Sequence, residues 1–462
     1  MDSASSAPVS DHAESRRLRG VLAAAGLAMF CVQLDFFALT LALPRMARDL
    51  RVSTTDLQWA LSGYMLALGA VLVLGGRLGD IFGRRLVLVS GLGIFGAAAA
   101  LCAVAPTAGL LIAFRILQGV GAALIFPMTV SVLSSSFPEQ SRGQALGRVF
   151  GIAALGTALG PFVGGILTAG PGWRWIFWFL VPFVVAAAAV TLVATRESRD
   201  ESMPRRVDLI GAIVLSAGLA LVTYAVDRIP TSGLTGPLVW GTGLAGIVLL
   251  AAFPVVEGHV RLPLIDMRLF GNIAFVLVTA VGTMANIAYA STVFLATLYL
   301  QDIRGLGPLT AGLVFLGLSA ASGVAGPLAG WLGGRYSARV VMTIANSVGG
   351  LSLLALTFSR PWGAYVPVFC LCGLGFGLGW SFANIGTQRV VRIERSGEAA
   401  GVTQTVLIVV AGVGLAATAT ALEALEAAGS APSASIEVIL RVLAAGLLVS
   451  AVLLGAFGRG AR

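Results

Sequence analysis

Apolar residues run through this chain in blocks of about twenty, separated by short polar breaks that carry most of its charge. A helix rising 1.5 Å per residue needs roughly 20 residues to cross the hydrocarbon of a bilayer, so each block predicts one spanning helix. Such blocks fall near 20–44, 57–76, 86–105, 109–134, 144–168, 174–195, 208–226, 237–257, 273–300, 308–333, 339–358, 364–388, 399–422 and 438–457, fourteen in all. A polar tail, 1–19, precedes the first. No small-residue cleavage site follows that first block, which therefore reads as a retained helix.

Composition agrees with this pattern. Of 462 residues, 57% are hydrophobic and 11% charged, where a soluble domain carries about a quarter charged. The expected fold class is an all-α polytopic membrane protein. The net charge of +9 does not point to nucleic acid, because the arginines are scattered among short loops. All 30 basic residues are Arg, and 21 fall in loops on the side of the N-terminus against 8 on the other. Basic loops stay cytoplasmic, so both termini are expected there. Arg45, Arg48 and Arg51 in the first outer loop run against the rule, partly offset by Asp49 and Asp56. Cys31, Cys102, Cys370 and Cys372 lie inside apolar blocks and read as packing residues, and His12 and His259 stand far apart, so no metal site is expected.

One break stands out. Gly76-Arg77-Leu78-Gly79-Asp80-Ile81-Phe82-Gly83-Arg84-Arg85 puts four charges and three glycines between two apolar blocks, which predicts a water-side turn. Gly330-Trp331-Leu332-Gly333-Gly334-Arg335-Tyr336-Ser337-Ala338-Arg339 echoes it, and each copy follows the second span of a six-span block. The resulting organisation is a six-helix bundle over 20–195, a linker over 196–207, two inserted helices over 208–257 and a second six-helix bundle over 258–462. Parallel repeats of this kind place a transport site between the halves at mid-membrane depth.

Two charges, Asp35 and Arg115, lie in the apolar depth of the spans. Asp35 is expensive there and by default functional, since burial opposes the charged form and suits a group that takes and gives up a proton; the bland alternative is a hydrogen-bonded structural aspartate. Arg115 on the fourth span needs a partner, either Gln118, a facing carbonyl or the region of Asp35. On the fifth span Gly156, Gly160 and Gly164, with Gly165, give a smooth face, and Pro161 bends it. Gly373–Gly379 superficially follows a dinucleotide loop but has no preceding strand. No phosphate-binding Gly-x4-Gly-Lys loop occurs.

Taken together these stretches carry a resemblance. Gly76-x-Leu78-x-Asp80-x-x-Gly83-Arg84-Arg85 resembles the signature loop of the major facilitator superfamily. Leu111-x-x-x-Arg115-x-x-Gln118-Gly119-x-Gly121-Ala122-Ala123 resembles its fourth-helix motif, and Gly156-x-x-x-Gly160-Pro161-x-x-Gly164-Gly165 its antiporter motif. Leu34-Asp35 with Ala42-Leu43-Pro44, and Tyr299-Leu300-Gln301 ahead of Gly307-Pro308-Leu309, resemble the fourteen-span drug:proton antiporter branch. The resemblance implies two six-helix bundles plus two further helices, and a transporter, not an enzyme. It implies proton coupling through Asp35 and Arg115, and a cytoplasmic gate at Gly76, Asp80, Gly83, Arg84, Arg85 and Arg142.

Phe37 and Thr40 stand where that branch usually has Thr and Asn, and span 10 lacks the second acid of divalent-cation exporters. Both departures imply a lipophilic, neutral or singly charged substrate. Phe36, Phe37, Tyr64, Gln118, Phe126, Asn286, Tyr289, Trp380, Phe382, Asn384 and Gln404 are the candidates to meet it. The expected activity is efflux of small lipophilic compounds such as antibiotics from a bacterial cell, by a monomer in the cytoplasmic membrane. It would run on the proton gradient with no cofactor and no nucleic-acid partner. The alternatives are a dedicated exporter of an endogenous metabolite, an uptake symporter or a channel.

Overall fold

The computed structural model describes residues 7–199, 208–233, 236–260, 267–359, 361–391 and 396–457. Among them are fourteen helices of 19 residues or more: α1 (Ala7–Thr40), α2 (Trp59–Phe82), α3 (Arg84–Val104), α4 (Ala108–Ser136), α5 (Glu139–Ala169), α6 (Arg174–Ala194), α7 (Leu209–Asp227), α8 (Pro237–His259), α9 (Ile273–Leu298), α10 (Pro308–Gly333), α11 (Ala338–Leu356), α12 (Trp362–Arg389), α13 (Ser396–Ala427) and α14 (Pro432–Phe457). Twelve contain a stretch long and apolar enough to cross a membrane, among the described residues. The other two are α7, with the shorter apolar segment Ile210–Val226, and α2, which carries Arg77 and Asp80 near its end. The outer surface bears large apolar side chains such as Val193, Ile273 and Val452, as a chain solvated by lipid requires. This is a multi-pass membrane protein.

Several helix ends differ from the apolar blocks. The polar tail is helical from Ala7 onward, continuous with α1. At the other end α1 stops at Thr40, short of the expected 44. Pro44 disfavours helix in the residue before it and serves at the first turn of a separate short helix, Leu43–Leu50. The Gly76–Arg85 stretch is not a loop: α2 continues through Phe82, and Gly83 alone, at φ 114, makes the turn into α3. Charge does not stop a helix whose end reaches water, and glycine is the residue that tolerates that φ. In the second copy α10 likewise runs to Gly333, and the Ser337 hydroxyl accepts the Val340 amide to start α11.

Helix pairings repeat along the chain. In the first half α1 packs on α5 and α6, α2 on α4, and α3 on α4 and α6; in the second, α9 packs on α13 and α14, α10 on α12, and α11 on α12 and α14. Even a detail recurs. Arg85 Nη2, at the start of α3, donates to Leu192 O near the end of α6 at 2.6 Å. Arg339 Nη2, at the start of α11, donates to Gly455 O near the end of α14. Helices α7 and α8 pack on each other, with α7 also against α2 and α13.

The halves meet along two seams, α5 on α10 and α2 on α13. Glycine permits the approach: a Cβ on Gly165 would stand 2.5 Å from Pro308 O, and one on Gly312 2.8 Å from Pro161 O. These contacts lie where α5 finishes and α10 begins, the end of the bundle that carries Arg51. There Gln301 Nε2, on a π-helical turn over Tyr299–Ile303, donates to Leu41 O of the first half at 2.8 Å. Toward the opposite end, which carries Gly83, a Cβ on Gly151, Gly326, Gly330 or Gly401 would meet nothing described within 4 Å.

Candidate functional site

Asp35 and Arg115 form a fully buried ion pair, with Arg115 Nη1 2.5 Å from Asp35 Oδ2 and neither side chain exposed. Three helices make the site. α1 brings Asp35; α4 brings Arg115 and, one turn on, Gln118; α2 brings Ala60 and, one turn on, Tyr64. Glycines set the spacing. A Cβ on Gly119 of α4 would stand 2.5 Å from Tyr64 O, and those on Gly156 and Gly160 of α5 would stand 2.6 Å from Phe30 O and from Phe37 Cβ of α1. Larger residues would push α2 and α5 away and open the pair.

Hydrogen bonds complete the cluster. Gln118 Nε2 donates to Asp35 Oδ1 at 3.1 Å, Arg115 Nη1 also donates to Gln118 Oε1 at 2.7 Å, and Arg115 Nε donates to Ala60 O at 3.0 Å. Arg115 Nη2 has no hydrogen-bond partner among the described residues. Instead the guanidinium carbon lies 4.3 Å from the Tyr64 ring centre and 5.9 Å from that of Phe177. The Cys102 thiol reaches Gln118 Oε1 at 3.9 Å. A buried pair survives at this depth only if its remaining donors and acceptors are met, and here most are.

From this cluster an aromatic run crosses to the second half. Tyr64 and Phe36 rings are 6.1 Å apart, Phe36 and Phe37 5.1 Å, Phe37 and Tyr289 5.5 Å, and Tyr289 and Phe376 6.0 Å. Phe37–Tyr289 is where it passes from α1 to α9. Sequence reasoning named four of these five residues and missed Phe376, one of several aromatics in a glycine-rich helix.

Other expected residues go elsewhere. Gln118 belongs to the ion cluster, where its amide bridges acid and base, and does not line a cleft. Tyr64 is 1% exposed, sandwiched and not open. Trp380 and Phe382 pack in a separate core of the second half, with Val278, Met342 and Leu454. Asn384 Nδ2 is bonded to Trp380 O within its own helix, and Asn286 Nδ2 to Leu407 O of α13 at 2.8 Å. Phe126 is half-buried against the large core that runs through both halves. Gln404 is 8% exposed and its Oε1 has no described partner.

At the Gly83 turn the side chains of two expected gate residues, Asp80 and Arg142, lie outside the described residues. What holds the turn is Glu197, just after α6. Its carboxylate accepts the Arg85 amide at 3.0 Å and the Leu86 amide at 3.1 Å, while Ser198 O accepts the Arg84 amide at 2.9 Å. An anion on the first amides of a helix is favoured by geometry and dipole alike. The Arg196-Glu197-Ser198-Arg199 run was legible only as a charged linker, because nothing local ties Glu197 to a helix start more than 110 residues earlier. A second unforeseen acid is Glu257 on α8, 2% exposed, beside the Asp208 carboxylate that caps α7.

Residues 25–415 match the family model of the Major Facilitator Superfamily. The chain belongs to that superfamily. Among superfamily proteins, a Mycobacterium tuberculosis relative named multidrug resistance protein Stp is 32% identical over 393 residues, covering 82% of this chain and 71% of its own. The tetracenomycin C resistance and export protein of Streptomyces glaucescens is 28% identical, covering 85% and 73%. The lincomycin resistance protein of Streptomyces lincolnensis is 33% identical over 62% of this chain and 59% of its own. In fold, the chain is similar to an auto-inhibited peptide transporter of the POT family, with a TM-score of 0.72, 17% identity and 97% of both chains covered. Major facilitator architecture is thus seen in sequence and in three dimensions, in a chain whose relatives carry drug- and antibiotic-resistance names.

Proposed function

We propose that this protein is a proton-coupled exporter of small lipophilic compounds, neutral or singly cationic, working by alternating access across fourteen spans. Both termini and the Gly83 turn lie in the cytoplasm, on the strength of the arginine bias. The observation that carries the reading is the fully buried Asp35–Arg115–Gln118 cluster at the head of an aromatic run joining the two halves.

With Asp35 ionised, the pair is neutral overall. Protonating Asp35 leaves Arg115 without its counter-charge in a low-dielectric setting, a costly state that favours rearrangement toward water. A lipophilic cation in the aromatic run supplies the reverse pressure, because it is held best by an ionised Asp35 and by ring faces. Proton and substrate therefore exclude each other at one site, which is the requirement for antiport. The close glycine contacts of the α5–α10 seam at the Arg51 end support loading of substrate from the Gly83 end, the side from which an exporter loads. No cofactor is needed, and one chain holds every part of the site.

A narrower reading, a dedicated exporter of one antibiotic or metabolite, is favoured by relatives named for single compounds such as tetracenomycin C and lincomycin. Everted vesicles energised to an acidic interior, with a pH-sensitive dye, test the proposal. Lipophilic cations and neutral antibiotics are added to wild type and to Asp35→Asn. Proton release in wild type alone supports antiport through Asp35. Equal responses place the coupling elsewhere, and silence across a broad panel favours the narrower reading.

A further inference from the structure

Resting on the proposed proton coupling, we infer that Tyr64 is a positioning residue whose ring face holds Arg115 when Asp35 is protonated, and so sets how readily that site takes a proton. Tyr64 stands one helical turn beyond Ala60, whose carbonyl binds Arg115 Nε, so both face the guanidinium from α2. Its ring centre is 4.3 Å from Arg115 Cζ, and its backbone is clamped by Gly119 of α4. A ring so held cannot follow substrate into the cleft; it is a fixed electronegative surface under the cation.

The inventory of partners gives that surface its importance. The guanidinium's three hydrogen bonds go to Asp35, Gln118 and Ala60, and Nη2 makes none among the described residues. When Asp35 gains a proton, one ionic contact is lost and the two neutral oxygens and the ring remain. A desolvated cation over an aromatic face gains more than one at an exposed site, so the ring stabilises the protonated, unpaired state in particular. The hydroxyl is not part of this: Tyr64 Oη is buried with no described hydrogen-bond partner. Other titratable groups around the pair are Cys31 on α1 and Cys102 on α3. α6 meets the site with the Phe177 ring, and α5 meets α1 there through Gly156 and Gly160. The Tyr64 ring also neighbours that of Phe36, the next ring of the run, so a ligand that displaces Phe36 would be felt at Arg115.

The test uses purified, substrate-free full-length protein. The carboxyl infrared band present in wild type and absent in Asp35→Asn is followed against pH in wild type, Tyr64→Phe and Tyr64→Leu. Tyr64→Phe keeps the wild-type midpoint. Tyr64→Leu moves it toward acid by about one unit, a tenfold loss of proton affinity. Tyr64→Met stands in if the leucine variant does not fold. An unmoved midpoint in the ring-less variant, or an equal shift in Tyr64→Phe, overturns the inference. Because no substrate is present, failure of drug export in vesicles leaves this result intact, and the two ideas fail separately.

Discussion

A buried charge pair is an asymmetric commitment: the intact pair is tolerated, while either half alone is not. Removing one member of such a pair typically costs about 3–5 kcal/mol, whereas replacing both by neutral groups is often harmless. Arg115→Ala is therefore expected to destabilise the detergent-solubilised protein by an amount in that range, and Asp35→Asn with Arg115→Gln to recover most of it. Thermal unfolding checks this; a double variant no more stable than Arg115→Ala would deny that Asp35 is the charge at issue. Both residues were legible in the sequence, because each is an ionisable group in an apolar block. That Gln118 bridges them was not, since a glutamine one turn from an arginine has two faces to choose from and only the approach of α1 decides.

At the scale of elements, apolar length placed the helices well and their ends less well. The block ending at 76 becomes a helix ending at Phe82, since a helix leaving the bilayer has no reason to stop while its residues favour it. The block reaching 44 loses its last turn to Pro44. The Gly76–Arg85 stretch reads in sequence as a water-side turn, and nothing local to it shows that Glu197 arrives from just beyond α6 to cap the helix start at Gly83. Loss of a cap costs about 0.5–2 kcal/mol. Glu197→Ala is expected to speed hydrogen exchange at the Arg85 and Leu86 amides while leaving amides of α4 unchanged. Uniform exchange across both helices would mean a global effect and not a cap.

For the whole molecule, the same pairings in α1–α6 and α9–α14 were legible as a repeat, through two copies of one glycine-arginine stretch. The seam between them was legible only in part: Gly165 was named, but its partner Pro308 and the Gln301–Leu41 bond come from the fold alone. Gly165→Leu would place a side chain where Pro308 O now sits, so it is expected to hold the Arg51 end apart. Gln301→Ala removes one bond across the same end and is expected to do so more weakly. Spin labels on the outer ends of α1 and α10 report both: the distance distribution broadens to longer values, most in Gly165→Leu. An unchanged distribution in both variants would mean that neither contact governs closure at that end.

The central claim is that a proton moves opposite to a lipophilic substrate through Asp35. Its most direct measurement is uphill transport by purified protein in liposomes, with an imposed pH gradient as the only energy source. A fluorescent lipophilic cation should accumulate on the acidic side in wild type, collapse when an ionophore dissipates the gradient, and fail to accumulate with Asp35→Asn. Accumulation that survives the ionophore, or persists in Asp35→Asn, would contradict the account.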